Sequence, residues 1–280
     1  VLSFIDPNLF DAAANFRILP LITASLLFGI AFASMGKEGA AVEAVLSAVD
    51  RAIVKVVGWV LWLAPLGIMA LIAERIGSEG GGGAALGLAM RIGRYFFSVV
   101  SGLAIHGFIS LPIILYLLGR ENPFSYMAGF ARALLTALST ASSSATLPVT
   151  ISCAEARGLP SRVARFVLPL GATVNMDGTA LYEAVAAIFI AQSYGVVLGP
   201  GELFIVFVTA TAAAVGAAGI PEAGLTTMVL VLTAVGLPVE GIGLILAVDW
   251  LLDRARTAVN VWGDAVGAAV VARWEEGKGG

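Results

Sequence analysis

The chain has 280 residues, of which 59% are hydrophobic and only 12% are charged, whereas a soluble domain carries roughly 25% charged residues. Its single cysteine and single histidine exclude a disulfide framework and a metal site built from His and Cys. The net charge of -3 gives no reason to expect a nucleic-acid partner. With a mean hydropathy of +0.96, the chain is predicted to be an integral membrane protein that contacts the lipid bilayer.

The first half of the chain contains three apolar segments that are long enough to cross a membrane. They lie at residues 16–36, 51–77 and 85–119, and each includes a charge-free run of about 18 residues or more, the length of a membrane-spanning helix. Each also contains a proline that is expected to kink the helix. Lys and Arg are absent between Phe166 and Asp253 but frequent in a few loops, which the positive-inside rule places in the cytoplasm.

The second half of the chain repeats one pattern twice. Residues 123–157 and 200–237 each hold two apolar stretches, too short to span separately, around a tip rich in hydroxyl residues, Gly or Pro. Each pair is followed by a long segment with buried-looking Asn and Asp, at 163–194 and 241–273. Two interrupted segments in corresponding positions are typical of transporters with a mid-membrane substrate site. We therefore predict two re-entrant helical hairpins, which enter the membrane from opposite faces.

The last predicted helix carries one continuous polar stripe. At 100° per residue its five members fall within about 80° of arc and extend about 22 Å along the axis. Each charge at mid-bilayer costs roughly 2.5 to 3.5 kcal/mol on insertion scales, so the stripe must be paired, hydrated or occupied by ions. A salt-bridge seam between helices is the structural alternative to a functional site. The stripe consists of Asp249, Asp253, Arg256, Asn260 and Asp264.

Oxygen-bearing residues also gather in the segment before the second hairpin. Asn175 and Asp177, flanked by Gly171 and Gly178, favour a broken helix whose oxygens turn inward, and such hard ligands suit Na⁺. The alternative is a glycine kink in which both side chains bond only to neighbouring backbone. Glu183, a lone acid before an apolar stretch, is either a proton carrier or a structural acid.

A hydroxyl cluster and a lone histidine are two further features of the sequence. The hydroxyls at 139–146 are expected to precede a helix whose free N–H groups suit a substrate carboxylate, with plain N-capping as the alternative. His106 stands alone in an apolar helix and is expected to be packed rather than functional.

Four motifs in order resemble the dicarboxylate/amino acid:cation symporter family, which includes the excitatory amino-acid transporters and prokaryotic glutamate and aspartate transporters. The motifs are Ser142–Pro148 (SSSATLP), Asn175–Glu183 (NMDGTALYE), Ala218–Pro221 (AGIP) and Asp253–Asp264 (DRARTAVNVWGD).

The resemblance implies an all-α, multi-spanning, glutamate-transporter-like fold with inverted repeats, assembled as a homotrimer in the plasma membrane. Residues 1–78 would be two spans of a scaffold and trimerisation region, and residues 84–275 a transport core that moves like an elevator. The core would comprise one span, the two hairpins, the broken span 163–194 and the final span 241–273. The family's first three helices and the start of its fourth are missing from the sequence, so the chain alone is not expected to transport.

The implied activity is secondary active symport of glutamate or aspartate coupled to Na⁺, with H⁺ as a further coupling ion and K⁺ as a counter-ion. No other cofactor is expected. Arg256 would bind the side-chain carboxylate of the substrate, Asp253 its amino group, and Asn260 with the first hairpin tip its α-carboxylate. Glu183 and Arg254 would couple protons and K⁺. Glu222 adds an acid where relatives usually carry Gly or Gln.

The resemblance assigns two larger sets of residues. The substrate-binding set is Ser142, Ser143, Ser144, Thr179, Ile220, Gly224, Asp253, Arg256, Thr257 and Asn260. The Na⁺-binding set is Gly171, Thr173, Asn175, Asp177, Ala214, Val215, Ala217, Asn260 and Asp264.

Other function classes fit the sequence less well. A C4-dicarboxylate or neutral amino-acid carrier coupled to H⁺ or Na⁺, and an anion-conducting channel, stay open as alternatives. An intramembrane aspartyl protease needs Gly-x-Gly-Asp, but residues 261–264 read VWGD. Serine hydrolysis at residues 142–144 lacks a base, because the one histidine lies in an unrelated helix. We therefore predict that the protein is not an enzyme.

Overall fold

The structure, a computed structural model, describes residues 5–14, 18–61, 82–217 and 223–278, with the single positions 66, 69, 70, 73, 77, 219 and 221. Every regular element within these residues is a helix, which confirms the predicted all-α fold class. The chain divides into two compact units, Val1–Met69 and Ala70–Gly280.

The first unit contains α1 (Leu9–Ala14), α2 (Ile18–Ser34) and α3 (Lys37–Leu61). Helix α2 lies within the predicted span 16–36. Helix α3 begins well before the predicted start at 51. The prediction was based on charge-free runs, which mark only the apolar part of a helix. The charged but alanine-rich residues 37–50 also form helix readily. Most of residues 62–81, including Pro65, lie outside the described residues.

The second unit contains the remaining helices. In chain order they are α4 (Gly82–Ile105), α5 (Leu111–Ile114), α6 (Pro123–Gly129), α7 (Ala131–Thr140), α8 (Ser143–Ala156), α9 (Ser161–Val174), α10 (Asp177–Ser193), α11 (Pro200–Val215), α12 (Ala223–Ala234) and α13 (Ile242–Lys278). Leu86–Gly119 and Ser161–Ser193 are the two segments, among the described residues, that are long and apolar enough to cross a membrane. Helices α11 and α12 are apolar but shorter.

The segment predicted at 85–119 is helical throughout but changes its winding near Pro112. Turns of π-helix, His106–Ser110 and Leu115–Gly119, lie on either side of the short helix α5. Pro112 has no N–H to donate, and the indole Nε1 of Trp262 donates to the carbonyl of Gly107 at 3.0 Å. The widened turn is therefore anchored to α13, and π-turns of this kind often lie at functional sites.

Helix pairs α7–α8 and α11–α12 occupy the two predicted hairpins. The first pair turns at Ala141, whose φ is 50°, and at Ser142, whose side chain accepts the N–H of Ala145 at 3.1 Å. Helix α8 therefore begins inside the hydroxyl cluster rather than after it. The hydroxyls of Ser139 and Thr140 bond back to carbonyls of α7 at 2.8 and 2.9 Å, which lets both residues remain helical.

Helix α13 is the central element of the second unit. It packs against α4, α7, α8, α9 and α10. Ile245 and Leu252 belong to one apolar cluster, with α4, α10, α11 and α12, and Trp262 and Ala265 to another, with α7, α8 and α9. The polar stripe of α13 thus lies on a helix that both apolar clusters enclose.

Candidate functional site

The tips of the two hairpins touch each other at Gly219. The N–H of Ser144 donates to the carbonyl of Gly219 at 3.0 Å, and the hydroxyl of Ser142 donates to the same oxygen at 2.6 Å. A Cβ on Gly219 would contact the hydroxyl of Ser144 and lie 2.6 Å from the carbonyl of Ala172. Only glycine therefore permits this close approach.

A small cavity, open on one side, lies under the joined tips. Only about 10 Å³ of it is open to the centre of a water molecule, about the space needed for a single water. An amino acid therefore enters only if the tips separate. The cavity is lined by Ala141, Ser143, Met176, Thr179, Gly219, Ala223, Gly224, Asp253, Arg256, Thr257 and Asn260.

Arg256 is the one cation on the cavity wall, and its side chain is 1% exposed. Its Nε donates to Asp253 at 2.9 Å, its Nη1 lies 3.6 Å from Asp249, and its guanidinium stacks 4.3 Å from the ring centre of Tyr182. Within the described part of the chain, neither Nη1 nor Nη2 makes a well-aligned hydrogen bond, although Nη2 forms an ion pair with Asp253 at 2.9 Å. Asp249 and Asp253 therefore balance the charge of the guanidinium, while its Nη groups can still donate hydrogen bonds to a ligand carboxylate.

Asn260 holds the broken helix at the far side of the cavity. Its side-chain oxygen accepts the N–H groups of Gly178 and Thr179 at 2.8 and 3.3 Å, and its amide donates to the hydroxyl of Thr179 at 3.1 Å. The chain breaks just before, at Asn175 and Met176, which have non-helical ψ angles of 71° and 61°. Asn260 thus supplies a cap from another helix to the start of α10.

A second group of oxygen-bearing side chains lies around this break. The amide of Asn175 donates to Asp264 at 3.1 Å. A Cβ on Gly171 would contact Asp264, and one on Gly263 would lie 2.6 Å from Asp177, so both glycines are needed for close packing. The described residues include no group of three or more His, Cys, Asp and Glu that could hold a metal. A cation here would therefore be bound by mixed carboxylate, amide and carbonyl oxygens, which suits Na⁺ rather than a transition metal.

Two acidic side chains of α10 have specific partners from other helices. Asp177 lies 2.8 Å from Nε2 of His106, so the histidine expected to be merely packed contacts a candidate ion ligand. Glu183 is fully buried and bonds the hydroxyl of Thr227 in α12. Its Oε2 has no hydrogen-bond partner among the described residues.

Comparison with known proteins identifies the family. The family model of the sodium:dicarboxylate symporter family matches residues 1–274. The chain belongs to this family. It is therefore an integral membrane protein of a sodium-coupled transporter family, and the predictions of the family and of a non-enzymatic protein are confirmed.

Named relatives are about half identical to the chain. It shares 51% identity with excitatory amino acid transporter 2 of Mus musculus over 260 residues. These aligned residues make up 91% of this chain and 44% of the relative. It shares 50% identity with excitatory amino acid transporter 3 of Mus musculus over 91% of this chain and 48% of the relative. An excitatory amino acid transporter of Caenorhabditis elegans is 50% identical, over 93% of this chain and 52% of the relative. The chain spans about half the length of these curated relatives.

The structure gathers most of the predicted site residues but separates others. Thr173 is exposed and its hydroxyl bonds Leu170 of its own helix. Arg254 lies off the stripe and donates to the carbonyls of Leu138 and Ser139 at 3.0 and 2.8 Å. Ile220 and Glu222 lie outside the described residues. Buried Ala214 and Ala217 pack with Met176.

Four residues at this site were absent from the predicted sets. They are His106, Tyr182, Thr227 and Asp249. A polar side chain in a membrane-length helix is functional by default; that signal placed Asp249 in the polar stripe, and it could also have found His106. Tyr182 and Thr227 gave no such signal, because both residue types are common in packed helices.

Proposed function

We propose that the protein is a secondary active symporter that carries glutamate or aspartate across the plasma membrane, driven by Na⁺. The observation that carries the proposal is the buried guanidinium of Arg256 in a cavity under two joined hairpin tips. A planar guanidinium whose Nη groups make no well-aligned hydrogen bond with the described residues suits a carboxylate, and a cavity lined by both hairpin tips favours occlusion over a permanent pore.

The charges around the cavity fit an acidic amino acid better than the alternative substrates. The side-chain carboxylate of the substrate takes the fork of Arg256, and its ammonium group takes Asp253. Its α-carboxylate meets the first hairpin tip at Ser142–Ser144, where α8 begins, together with Asn260 and Thr257. A C4-dicarboxylate has no ammonium group for Asp253, and a neutral amino acid has no second carboxylate for Arg256.

The oxygen-bearing group around the chain break serves as the proposed Na⁺ site. Asp264, Asn175 and Asp177 lie together there, and Asn260 joins them to the substrate cavity through the first turn of α10. Ion binding would fix the broken helix, and thereby the cavity wall, before the tips close. Carbonyls of Ala214, Val215 and Ala217 would hold another Na⁺, and Glu183 and Arg254 would serve H⁺ and K⁺ coupling.

The family supports a larger assembly around this site. The two hairpins would be re-entrant, as halves of an inverted repeat, and residues 84–275 would form a core that moves like an elevator. Residues 1–78 would belong to the scaffold that joins three subunits. The many exposed apolar side chains of α4, such as Phe97 and Ile105, 67% and 56% exposed, suit contact with lipid.

Uptake by the full-length gene product in proteoliposomes tests this function. We expect an inward Na⁺ gradient to drive accumulation of radiolabelled L-glutamate and L-aspartate, but not of alanine or succinate. Collapse of the gradient should remove the accumulation. Accumulation of succinate, or uptake that needs no cation gradient, would contradict the proposal.

The Na⁺ site gives a separate prediction. Asp264→Asn removes one negative charge, and two unit charges about 4 Å apart interact by about 4 kcal/mol at an effective dielectric constant of 20. We therefore expect the Na⁺ concentration for half-maximal uptake to rise at least about tenfold. Glu275→Gln, which changes an exposed acid on the same helix, is the matched control. An unchanged Na⁺ dependence in Asp264→Asn would exclude Asp264 as a ligand.

A further inference from the structure

The hydroxyl of Thr227 joins the second hairpin to a buried acid that no other described side chain bonds. Thr227 lies in the first turns of α12 and is 8% exposed, and Glu183 of α10 is fully buried. The threonine hydroxyl bonds Oε1 of Glu183. Since Oε2 has no partner among the described residues, this bond is the acid's one direct tie to the hairpin.

The same face of α12 also reaches the substrate cavity. Gly224 precedes Thr227 by three residues, which places both on one side of the helix. A Cβ on Gly224 would contact the guanidinium of Arg256. A movement of α12 away from α10 would therefore open the cavity and break the bond to Glu183 in one step.

A threonine hydroxyl can serve both protonation states of a carboxyl group, because it has one donor and two acceptor sites. When Glu183 is ionised, the hydroxyl donates to Oε1. When Glu183 carries a proton, its O–H donates to the threonine oxygen, and the threonine O–H turns to the carbonyl of Ala223 or Gly224, which lie 3.2 and 3.3 Å away. The closed hairpin thus accepts either state without an unsatisfied donor.

The other charged and titratable groups near this acid come from neighbouring helices. Arg256 of α13 is the charged side chain that acts on Glu183. Asp249 of α13, Tyr95 of α4 and Tyr182 of α10 interact with that guanidinium in turn. Helix α12 has no titratable side chain, and that of α11, Glu202, is exposed at its first turn.

We infer that Thr227 is a positioning residue that couples closure of the second hairpin to the proton carried by Glu183. The inference rests on the proposed role of Glu183 in proton coupling. In this inference Thr227 does not contact the substrate. Thr227 acts only in the steps in which the hairpin moves while Glu183 gains or loses a proton.

The test compares pH profiles of glutamate uptake by the full-length gene product in proteoliposomes. In Thr227→Val the hydroxyl is lost at nearly constant volume. A hydrogen bond to a charged acid favours the charged form, so we expect the alkaline fall in uptake to move up by about one pH unit. We expect kcat to fall at least about threefold while KM for glutamate stays within about twofold, since no substrate contact is removed.

Three further variants make the test specific. Thr227→Ser keeps the hydroxyl and should restore the wild-type profile, and Thr226→Val, at the exposed neighbouring position, should leave it unchanged. Thr227→Ala provides a second variant without the hydroxyl in case the valine protein fails to fold. In a Glu183→Gln background, Thr227→Val should cause no shift.

The outcomes separate this inference from the proposed function. A wild-type profile in both Thr227→Val and Thr227→Ala, or an equal shift in the Glu183→Gln background, overturns the role of Thr227 alone. If Glu183→Gln itself keeps the wild-type pH dependence, the proton role of Glu183 is wrong and the inference falls with it. If Na⁺-driven uptake is absent from the unmodified protein, the proposed function fails first.

Discussion

Arg256→Ala should abolish uptake of glutamate and aspartate, with a fall of at least about 100-fold in kcat/KM. The guanidinium is buried, and its Nη groups make no well-aligned hydrogen bond with the described residues; hydrogen bonds to charged groups are worth about 1.5 to 3 kcal/mol each. Two such bonds correspond to a loss of about 100-fold or more. Uptake of both substrates in proteoliposomes, at saturating Na⁺, measures the effect.

A charge-balanced control separates substrate recognition from stability in this experiment. Without Arg256, the buried Asp249 and Asp253 would lose the guanidinium that pairs with both, and breaking a buried ion pair costs about 3 to 5 kcal/mol. The double variant Arg256→Ala, Asp249→Asn restores the net charge, so its melting temperature should recover while its uptake should not. Wild-type uptake in the double variant would show that Arg256 does not bind the substrate carboxylate.

Much of the site could be predicted from the sequence, because charges in an apolar helix are informative. The stripe of α13 follows from helical periodicity alone, and the structure buries all five of its members. The breaks at Ala141 and Asn175 follow from hydroxyl, Gly and Asn residues that disrupt an apolar run. In each case the physical cause is local, so it can be identified along the chain.

The remaining contacts depend on how distant helices pack against each other. His106 and Asp177 are 71 residues apart, and Thr227 and Glu183 are 44 residues apart. Nothing local distinguishes Thr227, which bonds the acid, from Thr226, which is exposed. The early start of α3 was missed for a different reason. Its first turns are charged, and hydropathy detects membrane spans rather than helices.

The contact between the hairpin tips explains how one site can alternate between open and closed states. The Gly219 carbonyl accepts hydrogen bonds from Ser142 and Ser144, which are the tip residues proposed to receive the substrate's α-carboxylate. The second tip therefore occupies donors that the substrate would use. Substrate entry and tip separation are then two parts of one exchange of hydrogen bonds, and empty tips can close without leaving those donors unsatisfied.

This contact predicts a large effect for one methyl group. In Gly219→Ala the new Cβ would contact Ser144 and lie 2.6 Å from the backbone carbonyl of Ala172, and overpacking of this kind costs about 1 to 3 kcal/mol. The tips should close less often, so uptake should fall about tenfold or more, with little change in melting temperature. Gly201→Ala, at a position in α11 with open space, should transport normally. If Gly219→Ala transports at the wild-type rate, closure at this contact is not part of the transport cycle, whereas a large loss of thermal stability would assign Gly219 to folding instead.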